Sequence, residues 1–349
     1  MKENKRYNFK VIPAFLLILT IQFSFLIAPR NREKAAFAET QYSKAECVME
    51  LESRRILYES NGETRLPMAS TTKIVTAATV LTYCKDLNTP FEIPDEAIGI
   101  EGSSIYLKKG DIYSATDLLY GLMLRSGNDA ATALSLKTSG TIKEFSLLMN
   151  ETAEKAGALN SNFVNPHGLP CKGHYTTARD LSYITCYAMH NTLFKKIVST
   201  KFYEPCGWAN KNKMLTQYEY AVGVKTGYTK EAGRCLVSAA TKEDMTLVCS
   251  VLSCGDMYNR SIKLFENCFN SYKKQRIIAA DDVFEVKIGD KILKGKTGSN
   301  FDYPLCEGEN EHVEVVTEGV NDEKKEEIIG QIKIYLLKRL IFSGNLYKL

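Results

Sequence analysis

The stretch LPMASTTKIVTAATVL, Leu66 to Leu81, sets a serine, two threonines and a lysine at the mouth of an apolar helix. Ser70 and Lys73 are three positions apart, so on a helix they share a face and their side chains can meet. Ser-Thr-Thr is also good capping chemistry, and Ser70 with Lys73 could do no more than cap and solubilise a helix start. The residues that follow oppose that simpler reading. IVTAATVL is deeply apolar, which makes the helix central and Lys73 partly desolvated. Desolvation lowers an amine's pKa, and a neutral lysine can take the proton of a neighbouring serine hydroxyl.

The whole chain is large enough for such a core. It has 349 residues, 44% apolar and 25% charged, enough for one large domain or two smaller ones. The formal charge of +4 comes without a dense Lys/Arg block, so nothing points to nucleic acid. Four histidines, none at zinc spacing, argue against a metal site, and no cofactor motif is present. The basic start MKENKRYNFK, the apolar run Val11 to Ala28 and the small-x-small site Ala36-Phe37-Ala38 predict an export signal over 1–38. Arg30, Arg32 and Lys34 lie between the run and the cut, and the run is long enough to stay as an anchor. Ten cysteines would suit disulfides in an oxidising place, but they form no CxxC; Cys235, Cys249 and Cys268 read as small buried hydrophobes.

Organisation follows from the hydrophobic period. SKAECVMELESRRILYESNGETRL reads as a strand with a turn at Asn61-Gly62, and helix is expected over 70–87. DIYSATDLLYGLMLRSGNDAATALSLKTSG reads as two helices broken at Ser126-Gly127-Asn128, the first capped by Thr116. NSNFVNPHGLPCKGHYTTARDL is a turn-rich loop leading into a helix near 176–190. YAVGVKTGYT and GRCLVSAATKEDMTLVCSVLSC are strands, the latter pair turning at 242–244, and MYNRSIKLFENCFNSYKK is a last helix. The fold class is therefore α/β, an antiparallel sheet flanked by helices over 39–274. Short alternating strands with polar turns predict a small all-β domain over 275–349.

Three elements carry chemistry when taken together. S-x-x-K at Ser70–Lys73, S-x-N at Ser126–Asn128 and K-T-G at Lys225–Gly227 form the active-site serine pattern in the order it requires. Lys296-Thr297-Gly298 and Ser343-Gly344-Asn345 repeat two of these tripeptides without a Ser-x-x-Lys nearby, and both read as turns. Gly295-Lys296-Thr297 also resembles a phosphate loop, but that motif needs glycine at position 290, which is Asp290; the nearest is Gly289.

LPMASTTKIVTA, LLYGLMLRSGNDAA, FVNPHGLPCKGHYTTARDL and VGVKTGYTKEAGRCLVSAA resemble the exported D-alanyl-D-alanine carboxypeptidases, the low-molecular-mass penicillin-binding proteins, from about Ala45 to Lys274. The resemblance implies that Ser70 attacks the carbonyl of the penultimate D-Ala of a peptidoglycan stem peptide, with Lys73 as base. It implies that Ser126 relays a proton between Lys73, Lys225 and the leaving amine, and that Asn128 binds Lys73 and the substrate amide. The N–H groups of Ser70 and of the residue just after Gly227, expected to be Tyr228, would form the oxyanion hole, and Gly227 is expected at the substrate site. Lys225, Thr226 and Arg260 would hold the terminal carboxylate, while His167 shapes the loop beside the cleft and Asn210 and Asn212 steady the K-T-G strand. β-Lactam antibiotics are expected to acylate Ser70. The rival readings are a class A-like β-lactamase, a catalytically inactive wall-binding protein, and an endopeptidase using the same site. Asn160 to His174 holds no carboxylate, which speaks against the dedicated deacylating glutamate of a class A β-lactamase. The family often ends in an amphipathic membrane helix, whereas this chain ends IKIYLLKRLIFSGNLYKL; membrane association, peripheral or through the N-terminus, stays open.

Overall fold

The computed structural model describes residues 43–320 and 327–349, so the export signal expected over 1–38 lies outside the described residues. The chain forms two compact units that divide between Asn270 and Ser271. Among the described residues no helix is long and apolar enough to cross a membrane.

The larger unit is built on a five-stranded antiparallel sheet in the order β2-β1-β9-β8-β7. Its strands are β1 (Ala45–Glu50), β2 (Ile56–Ser60), β7 (Ala221–Thr229), β8 (Gly233–Lys242) and β9 (Met245–Leu252). Two small ribbons lie outside it, β3 (Phe91–Glu92) with β4 (Ile112–Tyr113), and β5 (Phe202–Tyr203) with β6 (Trp208–Ala209). Where one strand was expected before residue 61, the chain makes two. The hairpin turn falls at Leu51–Arg55, with Arg54 in the left-handed region, and the turn at Asn61 follows the second strand.

β1 is buried along all six residues, which requires cover on both sheet faces. Ala45, Cys47 and Met49 enter the main core. That core also takes in α1 (Lys73–Tyr83) and α5 (Ala178–Met189), and Ser182 Oγ of α5 donates to Ser250 Oγ of β9 at 2.8 Å. On the opposite face Glu46 meets Arg260 of α8 (Met257–Ser271), whose buried residues recur at helical spacing. The first eight residues of α1 are all buried, so this helix is central, as its apolar run predicts.

The other helices are α2 (Ala115–Tyr120), α3 (Asn128–Ser139), α4 (Ile142–Lys155), α6 (Thr192–Ser199) and α7 (Met214–Gln217). α2 is capped by Ser114, which forms a capping box with Asp117, and not by Thr116. The Thr116 hydroxyl donates instead to the Leu87 carbonyl at 3.0 Å. All ten cysteines are free thiols, six of them buried, and Cys235, Cys249 and Cys268 are among the buried ones.

The smaller unit is all-β. β10 (Tyr272–Ile278) pairs with β13 (Phe301–Cys306), and a five-stranded sheet runs β11-β12-β16-β15-β14. These strands are β11 (Phe284–Ile288), β12 (Lys291–Lys296), β14 (Val313–Gly319), β15 (Ile328–Leu336) and β16 (Arg339–Lys348). Its core is small and separate, centred on Val286, Ile332, Ile334 and Leu346. Lys296-Thr297-Gly298 leaves β12 in the expected turn, but Ser343-Gly344-Asn345 does not turn. It lies inside β16 opposite Lys333, Ile332 and Gln331, because the alternating pattern continues through it.

Candidate active site

The helix does not begin at Ser70. Ala69–Thr72 forms a single 3-10 turn and α1 starts at Lys73. Neither element has a side-chain cap at its N-terminus, so the capping reading of Ser-Thr-Thr fails. The threonine hydroxyls stabilise the turn from its own carbonyls: Thr71 Oγ1 donates to Met68 O at 2.7 Å and Thr72 Oγ1 to Ala69 O at 2.9 Å. Ser70 Oγ is left facing Lys73 Nζ at 3.1 Å.

Lys73 is fully buried, 0% exposed. Its Nζ also reaches Asn128 Oδ1 at 2.6 Å and the His167 carbonyl at 2.7 Å. Burial first, then the charge of Lys225, holds its pKa well below the ordinary lysine value; Asp129 opposes the shift and Lys211 adds to it. Both carbonyl oxygens can only accept. A neutral Lys73 therefore places its two hydrogens on them and turns its lone pair toward the Ser70 hydroxyl.

A break between helices delivers Asn128. After α2 the chain widens into one π-turn, Gly121–Arg125, and Ser126 takes the left-handed conformation at φ 65°. α3 then begins at Asn128, whose amide Nδ2 donates to Glu101 O at 2.5 Å while its Oδ1 faces Lys73. Next to it, the Asp129 carboxylate accepts from Ser104 Oγ and from the amides of Ile105 and Leu107. These bonds hang the loop 101–107 on the start of α3. Ser126 is buried, and its hydroxyl has no hydrogen-bond partner among the described residues.

β7 brings the third element. Lys225 is 2% exposed, its Nζ donates to Thr226 O at 3.0 Å, and burial with Lys211 nearby pushes its pKa down to about 7. Gly227 lies against the serine turn: a Cβ there would come within 2.9 Å of Ser70 N and 3.0 Å of Met68 O. Only glycine permits that approach of strand to turn. Thr226 is half-buried, and Tyr228 is 66% exposed at the strand's outer end.

The geometry thus joins Ser70, Lys73 and Asn128 by direct contact, and places Lys225 where Lys73 feels its charge. Comparison with known proteins covers most of the chain. Residues 32–255 match the family model described as D-alanyl-D-alanine carboxypeptidase, peptidase S11. The chain belongs to the D-alanyl-D-alanine carboxypeptidase family. It is 33% identical over 309 residues to the carboxypeptidase DacC of Escherichia coli, covering 79% of this chain and 76% of that one. To DacF of Bacillus subtilis it is 30% identical over 273 residues, covering 73% and 68%. Penicillin binding protein 5 from Haemophilus influenzae superposes with a TM-score of 0.75 at 27% identity, over 89% of this chain and 97% of that one. Family membership makes this a serine-type carboxypeptidase with the penicillin-binding fold, and it does not favour the β-lactamase or inactive-protein readings.

For a carboxypeptidase of this family, one expected residue is out of place. Arg260 does not face the cleft: it is 9% exposed and bound bidentately by Glu46, with Nε to Oε1 and Nη2 to Oε2 both at 2.7 Å. Tyr58 is a second partner. Glu46 stands on β1, three strands from β7 across the sheet, so this guanidinium is a structural ion and not a carboxylate clamp.

His167 acts through its backbone. Its carbonyl holds Lys73, while its ring Nδ1 accepts the Leu169 amide at 3.2 Å and burial lowers its pKa to about 4. Three supporting residues carry no motif signal. Asn165 builds the loop, its Oδ1 accepting the Gly168 amide at 2.7 Å and its Nδ2 donating to Leu169 O at 2.9 Å. Gly168, at φ 88°, has no room for a side chain beside the Ala69 carbonyl. His174 accepts the Val164 amide on Nδ1 at 3.1 Å, so its proton sits on Nε2, 2.9 Å from Thr72 Oγ1. Burial holds that ring neutral, with a pKa of about 4.

Proposed function

We propose that Ser70 is the nucleophile that removes the terminal D-Ala from peptidoglycan stem peptides, and that Lys73 is its general base. The observation that carries this reading is the buried Lys73 amine, fixed by Asn128 Oδ1 and the His167 carbonyl with Ser70 Oγ at 3.1 Å. Ser70 attacks the carbonyl of the penultimate D-Ala as its proton passes to Lys73. The amides of Ser70 and Tyr228 receive the oxyanion. Ser126 and Lys225 carry the proton to the leaving amine, free D-Ala departs, and water cleaves the ester. All these groups belong to the domain expected over 39–274.

β-Lactams would acylate the same serine. Asn160–His174 contains no Asp or Glu, so no carboxylate in that loop speeds water toward the ester, and the lactam adduct should persist. The basic start and apolar run of the N-terminus support action on the extracytoplasmic side of the membrane.

The test is release of D-Ala from a pentapeptide ending in D-Ala-D-Ala. Wild type should release it, with Ser70→Ala and Lys73→Met both silent although folded. Full release by Lys73→Met would remove Lys73 from the base role.

A further inference from the structure

A cavity of about 440 Å³ opens beside the serine turn, and its walls are extensions of elements that build the site. Leu66 and Pro67 form one wall and run directly into the turn that carries Ser70. Residues 170–175 form the second, at the end of the loop whose His167 carbonyl holds Lys73. Glu231 lines it from the turn after β7. These walls are fixed. Leu66 and Thr176 exchange backbone hydrogen bonds at 2.8 and 3.1 Å, and the His174 amide donates to the Cys171 carbonyl at 3.0 Å. His174 Nε2 ties the second wall to Thr72 Oγ1 of the serine turn at 2.9 Å. The turn with Glu231 is closed by the Ala232 amide, which donates to Thr229 Oγ1 at 3.0 Å.

The charges along the walls are left unneutralised. Arg65 is pinned by uncharged partners: Nε and Nη2 donate to Asn160 Oδ1 at 3.1 and 2.6 Å, and the guanidinium lies over the Tyr175 ring, 4.8 Å from its centre. Lys172 and Glu231 are exposed, and among the described residues their side chains have no hydrogen-bond or ion-pair partner. Two cations and one carboxylate therefore line one cavity without pairing with each other. The course of the substrate leads there. β7 is the outermost strand of its sheet, and a free strand edge can take an extended peptide. With the leaving D-Ala toward Lys225, the residues upstream of the scissile bond run toward Glu231, at about 3.4 Å each. A long side chain on the first of them enters the cavity.

We propose that this cavity receives the side chain of the residue that precedes D-Ala-D-Ala in the stem peptide, and that it selects a diamino acid whose side chain ends in both an ammonium and a carboxylate. Arg65 and Lys172 take the carboxylate and Glu231 takes the ammonium. A lysine side chain would satisfy Glu231 alone and leave both cations bare, and amidating the carboxylate would do the same. This deepens the carboxypeptidase reading and rests on it.

The experiment measures D-Ala release from three pentapeptides that differ only at that residue: the free diamino dicarboxylic acid, its carboxamide, and lysine. Wild type should favour the first over the other two about three- to tenfold in kcat/KM. Arg65→Gln and Lys172→Gln should each shrink that preference, and Glu231→Gln should slow all three peptides about threefold, because all carry the ammonium. Benzylpenicillin, whose acyl chain is uncharged, should acylate every variant within about twofold of wild type. Wild type that releases D-Ala equally from the three peptides overturns the subsite alone. So does a full preference kept by Arg65→Gln and Lys172→Gln alike, or a loss on benzylpenicillin equal to the loss on the first peptide. Wild type that releases D-Ala from none of them overturns the carboxypeptidase reading, and the subsite with it.

Discussion

The same three letters, Lys-Thr-Gly, occur once in each compact unit, and the two copies share nothing but their spelling. Lys225 is buried on β7 with its pKa drawn down, whereas Lys296 is exposed at the end of β12. A Cβ on Gly227 would strike the Ser70 turn, while one on Gly298 would meet nothing within 4 Å. Ser-Gly-Asn diverges likewise. Ser126 sits in a left-handed bend that starts a helix, and Ser343 is paired to Lys333 in the middle of a strand. A tripeptide acquires chemistry from the desolvation and the backbone approach around it.

Swapping the same substitution between the copies is the way to break that contrast. Lys225→Met should cost at least about a hundredfold in kcat/KM for D-Ala release, because it removes the buried cation proposed to carry the proton to the leaving amine. Lys296→Met should stay within about twofold of wild type, as expected for an exposed lysine. Equal losses would mean that the smaller unit takes part in catalysis. Gly227→Ala should lose about a hundredfold through displacement of the oxyanion amides. Gly298→Ala, at φ 67°, should lower stability by about 1 kcal/mol and leave kcat/KM alone. Both are read by steady-state kinetics alongside thermal melts.

Arg260 sharpens the comparison within the larger unit. Arg260→Met leaves Glu46 buried and unpaired, at a cost of about 3–5 kcal/mol, while kcat/KM of the folded fraction should change less than about threefold. The double variant Glu46→Gln, Arg260→Met should recover part of the stability. A variant as stable as the parent but a hundredfold slower would return Arg260 to the cleft.

The smallest effect is on pH. His167 and His174 titrate at about 4 in the folded chain, below the ordinary histidine value of 6.5. The unfolded chain thus binds more protons between those limits. The stability from keeping both rings neutral is full above about 6.5 and is lost as pH falls toward 4. Denaturant midpoints measured across that window should fall with pH, and His174→Gln should flatten the slope. An unchanged slope would show that His174 is not the group responsible.

What could be read from the sequence divides by range. Ser70–Lys73 lies within one helical turn, and Asn128 and Lys225 stand in motifs whose order and spacing are visible as letters. Long apolar runs marked the sheet strands and the central helix, and short alternating segments with polar turns marked the all-β region. What stayed hidden depends on contacts across the chain. Arg260 sits on a plausible helix face, and only Glu46, 214 positions away, takes it from the substrate. His174 holds the serine turn through the Thr72 hydroxyl, and His174 and Asn165 hold the loop through backbone groups, contacts that no residue pattern encodes. Ser114 competes with Thr116 for the cap, and the choice rests on the Asp117 side chain folding back to it.

The central claim is that the buried Ser70–Lys73 pair is the acylation site, and one measurement reaches it directly. Wild type and Ser70→Ala would be treated with a labelled penicillin, digested, and the adduct located by mass. The account predicts one long-lived adduct on the peptide containing Ser70, and none on folded Ser70→Ala. An adduct on another residue, or one that survives in Ser70→Ala, would contradict it.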